Sequence, residues 1–348
     1  MSTASSVPTG GPKLARRLLA GVLLGVVVYG VLVALRGASS IRAELANFAP
    51  AAFASACALS LVNYGIRFLK WEYYLSVLGV SQDEQGQRAF GRGESLLVFL
   101  SGFVLTVTPG KVGEVFKSLV LWELRRVPVV RTAPIVIAER LTDLVGVIAL
   151  IAAGSTVFPG GALWATAGAA TVLSVLALVS IPRVGRFAVS VIERLGRTGA
   201  RVAPKISDTL DGIRTLTTPS RLVVPTALSI VGWSLEGLGT YVLLRGFGAS
   251  IEPLRAAFSY ATATLAGALV PVPGGLGVTE KVLEESMVQL GGVPNAVATA
   301  AMLLGRLATL WLAVFVGFVA LAILRALHPA LLASEPARPG GSDPKYAP

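Results

Sequence analysis

The 348-residue chain is 54% hydrophobic and only 14% charged, with a mean hydropathy of +0.73. So little polar surface cannot cover a soluble globule, and lipid is the expected solvent. Its net charge of +11 comes from Lys and Arg placed between apolar runs, which makes them topology signals and argues against nucleic acid as a partner.

One cysteine, Cys57, and one histidine, His328, exclude a disulfide framework and argue against a His or Cys metal site. Any chemistry therefore falls to Arg, Lys, Glu, Asp and backbone, and no cofactor is expected. The chain has no P-loop, dinucleotide-binding glycine fingerprint, nucleophile elbow or zinc motif.

In chain order, Lys13, Arg16 and Arg17 precede an apolar run, Leu18 to Leu35, read as a retained span and not a cleaved leader. Further runs long enough to cross a bilayer are Phe48 to Ile66, Ala133 to Ser155, Leu163 to Ile181, Leu222 to Leu244 and Val297 to Leu324. Two shorter stretches, Ser95 to Thr108 and Ala256 to Val272, each end in a Pro-Gly cluster followed by a charged segment, and read as half-spans.

Lys and Arg in short loops mark the cytoplasmic side. The loop carrying Arg67, Lys70, Arg88 and Arg92 and the loop carrying Arg125, Arg126 and Arg131 both read as cytoplasmic, so the stretch between them must turn back. The long loop Pro182 to Arg221, with eight basic residues, is cytoplasmic again. The second half-span then starts and ends outside, and both termini fall inside.

The two half-spans resemble each other. Pro109, Gly110, Gly113 and Lys117 map onto Pro273, Gly274, Gly277 and Lys281 at one offset, and after a two-residue slip Arg140 maps onto Arg306. The topology places the two hairpins on opposite faces, so the copies are inverted. Inverted repeats with interrupted helices are the sequence pointer to a transporter site. Gly110, Gly113, Gly274, Gly275 and Gly277 are read as turn glycines with positive φ, with anion contact by their N–H groups as the sharper alternative.

Charges inside apolar runs cost about 2.5–3.5 kcal/mol each and mark partners or cavities. They are Glu139, Arg140 and Asp143 in one run, Glu236 in another and Arg306 in the last, with Lys111, Glu114, Lys117, Glu280, Lys281, Glu284 and Glu285 around the hairpins. Glu139 and Asp143 are one turn apart, with Arg140 expected off to the side. Two readings stand: basic residues Arg140, Arg306, Lys111 and Lys281 meeting an anionic group, or structural ion pairs. Asn63 and Arg67, followed by Lys70, Trp71, Tyr73 and Tyr74, read mostly as an interfacial anchor.

These motifs resemble the transmembrane region of lysylphosphatidylglycerol synthases, a flippase-like family of bacterial and archaeal membrane proteins. The resemblance rests on Asn63 and Arg67 before Trp71, Pro109 to Glu114, Glu139 to Asp143, Pro273 to Gly277 with Glu280, and Arg306, and spans roughly residues 15 to 325. It implies a domain that moves aminoacylated phospholipids or other lipid-linked molecules between leaflets. The expected partners are membrane lipids and separate lipid-modifying enzymes, in a bacterial or archaeal plasma membrane. The soluble domain that attaches the lysyl group in full-length synthases would follow Leu324, where this chain has a short tail, so synthesis is not expected. Lys111 and Lys117 stand where many relatives are expected to carry Arg, which keeps the charge but weakens bidentate phosphate contact.

The expectation is an all-α polytopic membrane protein with about six transmembrane helices and two re-entrant helical hairpins in an inverted repeat. Residues 1–15 form a disordered cytoplasmic N-terminus and 16–326 the membrane domain. Within it, repeat 1 covers about 47–155, a cytoplasmic loop 182–221 and repeat 2 about 222–325, and a disordered tail follows at 327–348. The candidate substrate-binding residues are Arg140, Arg306, Lys111, Lys281, Glu114, Glu139, Asp143, Glu280, Lys117 and Arg67, beside the hairpin backbone at Pro109, Gly110, Gly113, Pro273, Gly274, Gly275 and Gly277. The expected activity is lipid translocation without catalysis. The rival readings are an enzyme acting on a lipid phosphate or glycosyl-lipid, with Glu139, Asp143 and Glu114 as acid-base or metal residues, and a lipid-binding scaffold.

Overall fold

A computed structural model of the chain describes residues 38–82, 89–107, 114–158, 163, 166–170, 174, 211–270 and 272–331. The expected span Leu18 to Leu35, most of Leu163 to Ile181, the first hairpin's tip with Pro109, Gly110, Lys111 and Gly113, and most of the basic loop 182–221 lie outside these residues.

The described residues are helical, with no strand among them. A short α1 (Ala38–Ala46) leads into α2 (Pro50–Val77), whose N-terminus carries a proline where a missing N–H costs nothing. Then come α3 (Arg92–Ser101), extended by a 3₁₀ turn (Gly102–Leu105), α4 (Phe116–Arg125) and the long α5 (Val129–Ser155). The second half repeats that order: α6 (Pro219–Gly246), α7 (Pro253–Leu269), a 3₁₀ turn (Pro273–Gly275), α8 (Val278–Gln289), then α9 (Asn295–Arg306) and α10 (Leu312–Leu327). A π-helical turn (Leu307–Trp311) joins the last two into one continuous helix, Asn295–Leu327.

Both half-spans are thus a helix, a turn and a second helix packed back on the first. Three helices, Pro50–Val77, Pro219–Gly246 and Asn295–Leu327, are long and apolar enough to cross a membrane. Their outer faces expose Leu61, Val62, Val223, Val231, Phe315 and Val319. Water would penalise that surface; lipid does not. The 27-residue α5 has the length of a span but carries Glu139, Arg140 and Asp143. Two boundaries differ from the sequence reading: α2 runs on to Val77, past Ile66, and α6 begins at Pro219, inside the segment read as loop.

The halves interlock. Around the first hairpin, Trp71, Tyr74, Phe99, Phe103, Leu121 and Ile135 form one core, which α10 joins through Ala313 and Leu324. Around the second, Leu244, Leu283, Met287 and Met302 form another. The long closing helices start on their own hairpin and end on the other: α5 reaches α7, and α10 reaches α3. Glycine makes both approaches possible, since a Cβ at Gly154 would lie 2.6 Å from Phe258 Cβ and one at Gly317 2.6 Å from Val104 N. The α2–α6 contact, the most extensive in the bundle, joins the two halves along their lengths.

Candidate functional site

In the first half, three elements converge on a buried charge network. α2 contributes Arg67 and Lys70, a turn apart; the start of the returning hairpin limb contributes Glu114 and Lys117; α5 contributes Glu139, Arg140 and Asp143. Lys70 Nζ donates to Asp143 Oδ1 (2.7 Å) and to Ser229 Oγ of α6 (2.6 Å), and Ser229 donates to the same carboxylate oxygen (3.0 Å). Lys117 Nζ donates to Glu139 Oε2 (2.5 Å) and sits over the Trp71 and Phe99 rings, 4.7 and 5.3 Å from their centroids. Arg140 Nη2 donates to Glu114 Oε2 (3.0 Å) and lies 3.0 Å from Asp143 Oδ2. Arg67 Nη2 lies 3.6 Å from Glu114 and 3.9 Å from Asp143.

Arg140 is therefore not off to the side of the carboxylates: it shares a face with Asp143, while Glu139 turns to Lys117. The expected interfacial anchor is corrected as well. Lys70, Trp71 and Tyr74 are 1%, 0% and 0% exposed. Trp71 Nε1 donates to Ser95, and the Tyr74 hydroxyl donates to the Ala138 carbonyl. Burial of polar side chains requires such partners, and the hairpin and α5 supply them because α2 continues past the expected end of its span.

With all seven groups ionised, four cations face three anions. The network is graded in exposure: the Lys70 and Lys117 side chains are sealed, whereas those of Arg67 and Arg140 are 18% and 28% exposed. Arg140 Nε is buried and has no hydrogen-bond acceptor among the described residues. A guanidinium N–H left without an acceptor in a low-dielectric setting is costly and fits an incoming oxyanion.

The second half holds a tighter arrangement. Arg306 Nε donates to Glu280 Oε1 (2.6 Å), Arg306 Nη2 to the Gly274 carbonyl (2.8 Å), and the Gly277 N–H to Glu280 Oε2 (2.6 Å). Gly274, Gly275 and Gly277 all have positive φ (62°, 68° and 85°), the conformation expected of turn glycines. The Gly277 N–H thus meets the chain's own Glu280, and Arg306 ties the turn to α9. Lys281 is exposed on α8, apart from this clamp.

The repeat has a better register than the hairpin glycines implied. Glu114 and Arg140 are 26 residues apart, and so are Glu280 and Arg306. The two Glu–Arg pairs are equivalent, whereas Lys117, buried against Glu139, and exposed Lys281 are not. Arg67 and Glu236 likewise stand at equal distances from the prolines that open α2 and α6. The sequence reading noted Glu236 but gave it no role; equal spacing from Pro50 and Pro219 was the signal. Glu236 accepts hydrogen bonds from Asn63 Nδ2 (2.6 Å), Ser60 Oγ (3.3 Å) and the Tyr260 hydroxyl (3.5 Å).

A family model described as the lysylphosphatidylglycerol synthase transmembrane region matches residues 18–317. A UPF0104 membrane protein from Methanothermobacter thermautotrophicus is similar at 24% identity over 321 residues, covering 86% of this chain and 93% of that one.

Proposed function

We propose, from the premise that the chain belongs to the lysylphosphatidylglycerol synthase transmembrane-region family of membrane proteins, that it moves an anionic, aminoacylated or otherwise lipid-linked molecule between leaflets. The observation that carries this reading is the first-half network: cations in excess, inside a membrane bundle, with Arg140 Nε lacking an acceptor among the described residues. A phosphate oxygen satisfies that donor, and Arg67, 18% exposed and already shared between two carboxylates, lies on the same face.

The frame proposed around this site is six spans and two hairpins re-entering from opposite sides of a bacterial or archaeal plasma membrane, both termini cytoplasmic. A helix, a hairpin and a long closing helix occur twice in order, and each closing helix reaches the other half's hairpin. Rocking of one half against the other around a central site is the motion such repeats permit. Transport is favoured over acid-base catalysis because Glu114, Glu139 and Asp143 each lie against Lys or Arg. Arg306 and Glu280 are assigned to holding the second hairpin, not to the headgroup.

The test is leaflet exchange of fluorescent lipids in proteoliposomes, comparing anionic, zwitterionic and lysyl-modified headgroups. Arg140→Ala and Arg67→Ala, each removing charge-assisted bonds worth about 1.5–3 kcal/mol, should slow exchange of the preferred headgroup by about tenfold or more. Wild-type rates in both variants, correctly folded, would remove the site assignment.

A further inference from the structure

The turns of the two hairpins meet inside the bundle. Val107 follows the first 3₁₀ turn and Leu276 follows the second. With Leu310 of the π turn and Val314 of α10 they form a small buried apolar cluster, distinct from the core around either hairpin. The approach brings a side chain onto backbone: a Cβ at Gly274 would lie 3.3 Å from Val107 Cγ1, 3.5 Å from Val107 Cα and 3.6 Å from Leu276 Cγ. Glycine suits position 274 on two counts, its φ of 62° and the first hairpin pressed against it.

Each turn is backed by a helix. Behind the first stands α10, where a Cβ at Gly317, one turn after Val314, would lie 2.6 Å from Val104 N and 2.9 Å from Phe103 C. Behind the second stands α7, where a Cβ at Gly267 would collide with Thr279 Oγ1 and lie 3.4 Å from Gly275 Cα. Arg306 Nη2 fixes the second turn further by donating to the Gly274 carbonyl (2.8 Å). The π turn that supplies Leu310 is held to α2, its Thr309 carbonyl accepting from the Tyr64 hydroxyl (2.8 Å), one turn before Arg67. At the junction itself the four side chains are hydrocarbon. They can separate without leaving a side-chain donor or acceptor unmet, whereas parting a buried ion pair strands two charges. While closed, such a cluster excludes water and bars a charged headgroup. It joins the hairpin whose returning limb carries Glu114 to the turn flanked by the Arg306 and Glu280 contacts.

We propose that Val107, Leu276, Leu310 and Val314 form an apolar gate between the hairpins, and that a charged headgroup crosses the bundle only when the two turns part at Val107 and Leu276. The inference rests on the transport reading above and names how its path is closed.

Bridging the turns decides it. In a Cys57→Ala background, Val107→Cys and Leu276→Cys are joined by a short, reducible bis-methanethiosulfonate linker, in proteoliposomes carrying a fluorescent anionic phospholipid. The bridge should slow leaflet exchange about tenfold or more, and reduction should restore it. A pair that cannot be bridged shows that the turns do not meet, and a bridged protein that exchanges lipid at the unbridged rate shows that they need not part. Either result overturns the gate and leaves transport standing. If the unbridged pair moves no lipid, Leu276→Ala decides. The smaller side chain weakens the closed contact, so exchange by the folded variant should rise about fivefold; a rate at or below wild type overturns the gate. No exchange by wild type overturns the transport reading and the gate with it.

Discussion

Where the first hairpin returns, Glu114 meets Arg140 with Arg67 close by; where the second returns, Glu280 meets Arg306, and the residue in Arg67's register is Glu236. The same scaffold carries a Glu–Arg pair in both halves, with the third charge reversed in sign. Around that difference the surroundings diverge. The first half adds Lys70, Lys117, Glu139 and Asp143 and leaves Arg140 partly open. The second ties its pair to backbone, the Gly274 carbonyl accepting from Arg306 and the Gly277 N–H donating to Glu280. A duplicated ion pair can thus serve as part of an open network in one copy and as a turn clamp in the other, and burial decides which.

The comparison is broken most severely by Asp143→Ala. Lys70, 1% exposed, would lose its carboxylate, and removing one partner of a buried pair costs about 3–5 kcal/mol. Thermal unfolding in detergent should show the loss, and Lys70→Met in the same chain should recover much of it. Full stability in Asp143→Ala would mean that Lys70 is not held as described.

Arg306→Ala should cost less, about 2–4 kcal/mol, because its side chain is 11% exposed and the glycine turn retains its own conformation. Its signature is local. Amide exchange should accelerate across 273–281 and stay unchanged across 114–125. Equal acceleration in both hairpins would show that the two Glu–Arg pairs are not separate clamps.

The smallest effect is expected at the base of the first hairpin, where Arg125 pairs bidentately with Glu94 and is 40% exposed. Glu94→Gln should cost below about 1 kcal/mol and less at high salt. The Glu94 hydrogen bond raises the Arg125 pKa further above its ordinary value. The arginine charge is therefore present at every neutral or moderately alkaline pH, and salt, not base, should weaken the pair.

Much of the fold was legible because its signals are local. Apolar length marked the helices Pro50–Val77, Pro219–Gly246 and Asn295–Leu327, and the Pro273-Gly274 cluster marked the turn of the second hairpin. The offset taken from the Pro and Gly matches then placed Lys117 on Lys281. The fixed 26-residue spacing of the two ion pairs, also present in the sequence, places Glu114 on Glu280 instead. Turn glycines recur for backbone reasons in any tight hairpin; a buried pair recurs only where two helices meet in the same way.

The sequence by itself determined that this is a helical membrane chain, that a helix, a hairpin and a long helix occur twice, and that Gly274, Gly275 and Gly277 form a turn. Each follows from hydrophobic length or from the φ a residue tolerates, within one or two turns of chain. Only the tertiary structure decided which charges meet. Lys70 finds Asp143 across 73 residues and Asn63 finds Glu236 across 173. Such pairings depend on how far α2 extends, how each helix is rotated about its axis, and where glycine lets two helices approach; composition and spacing along one helix carry none of these.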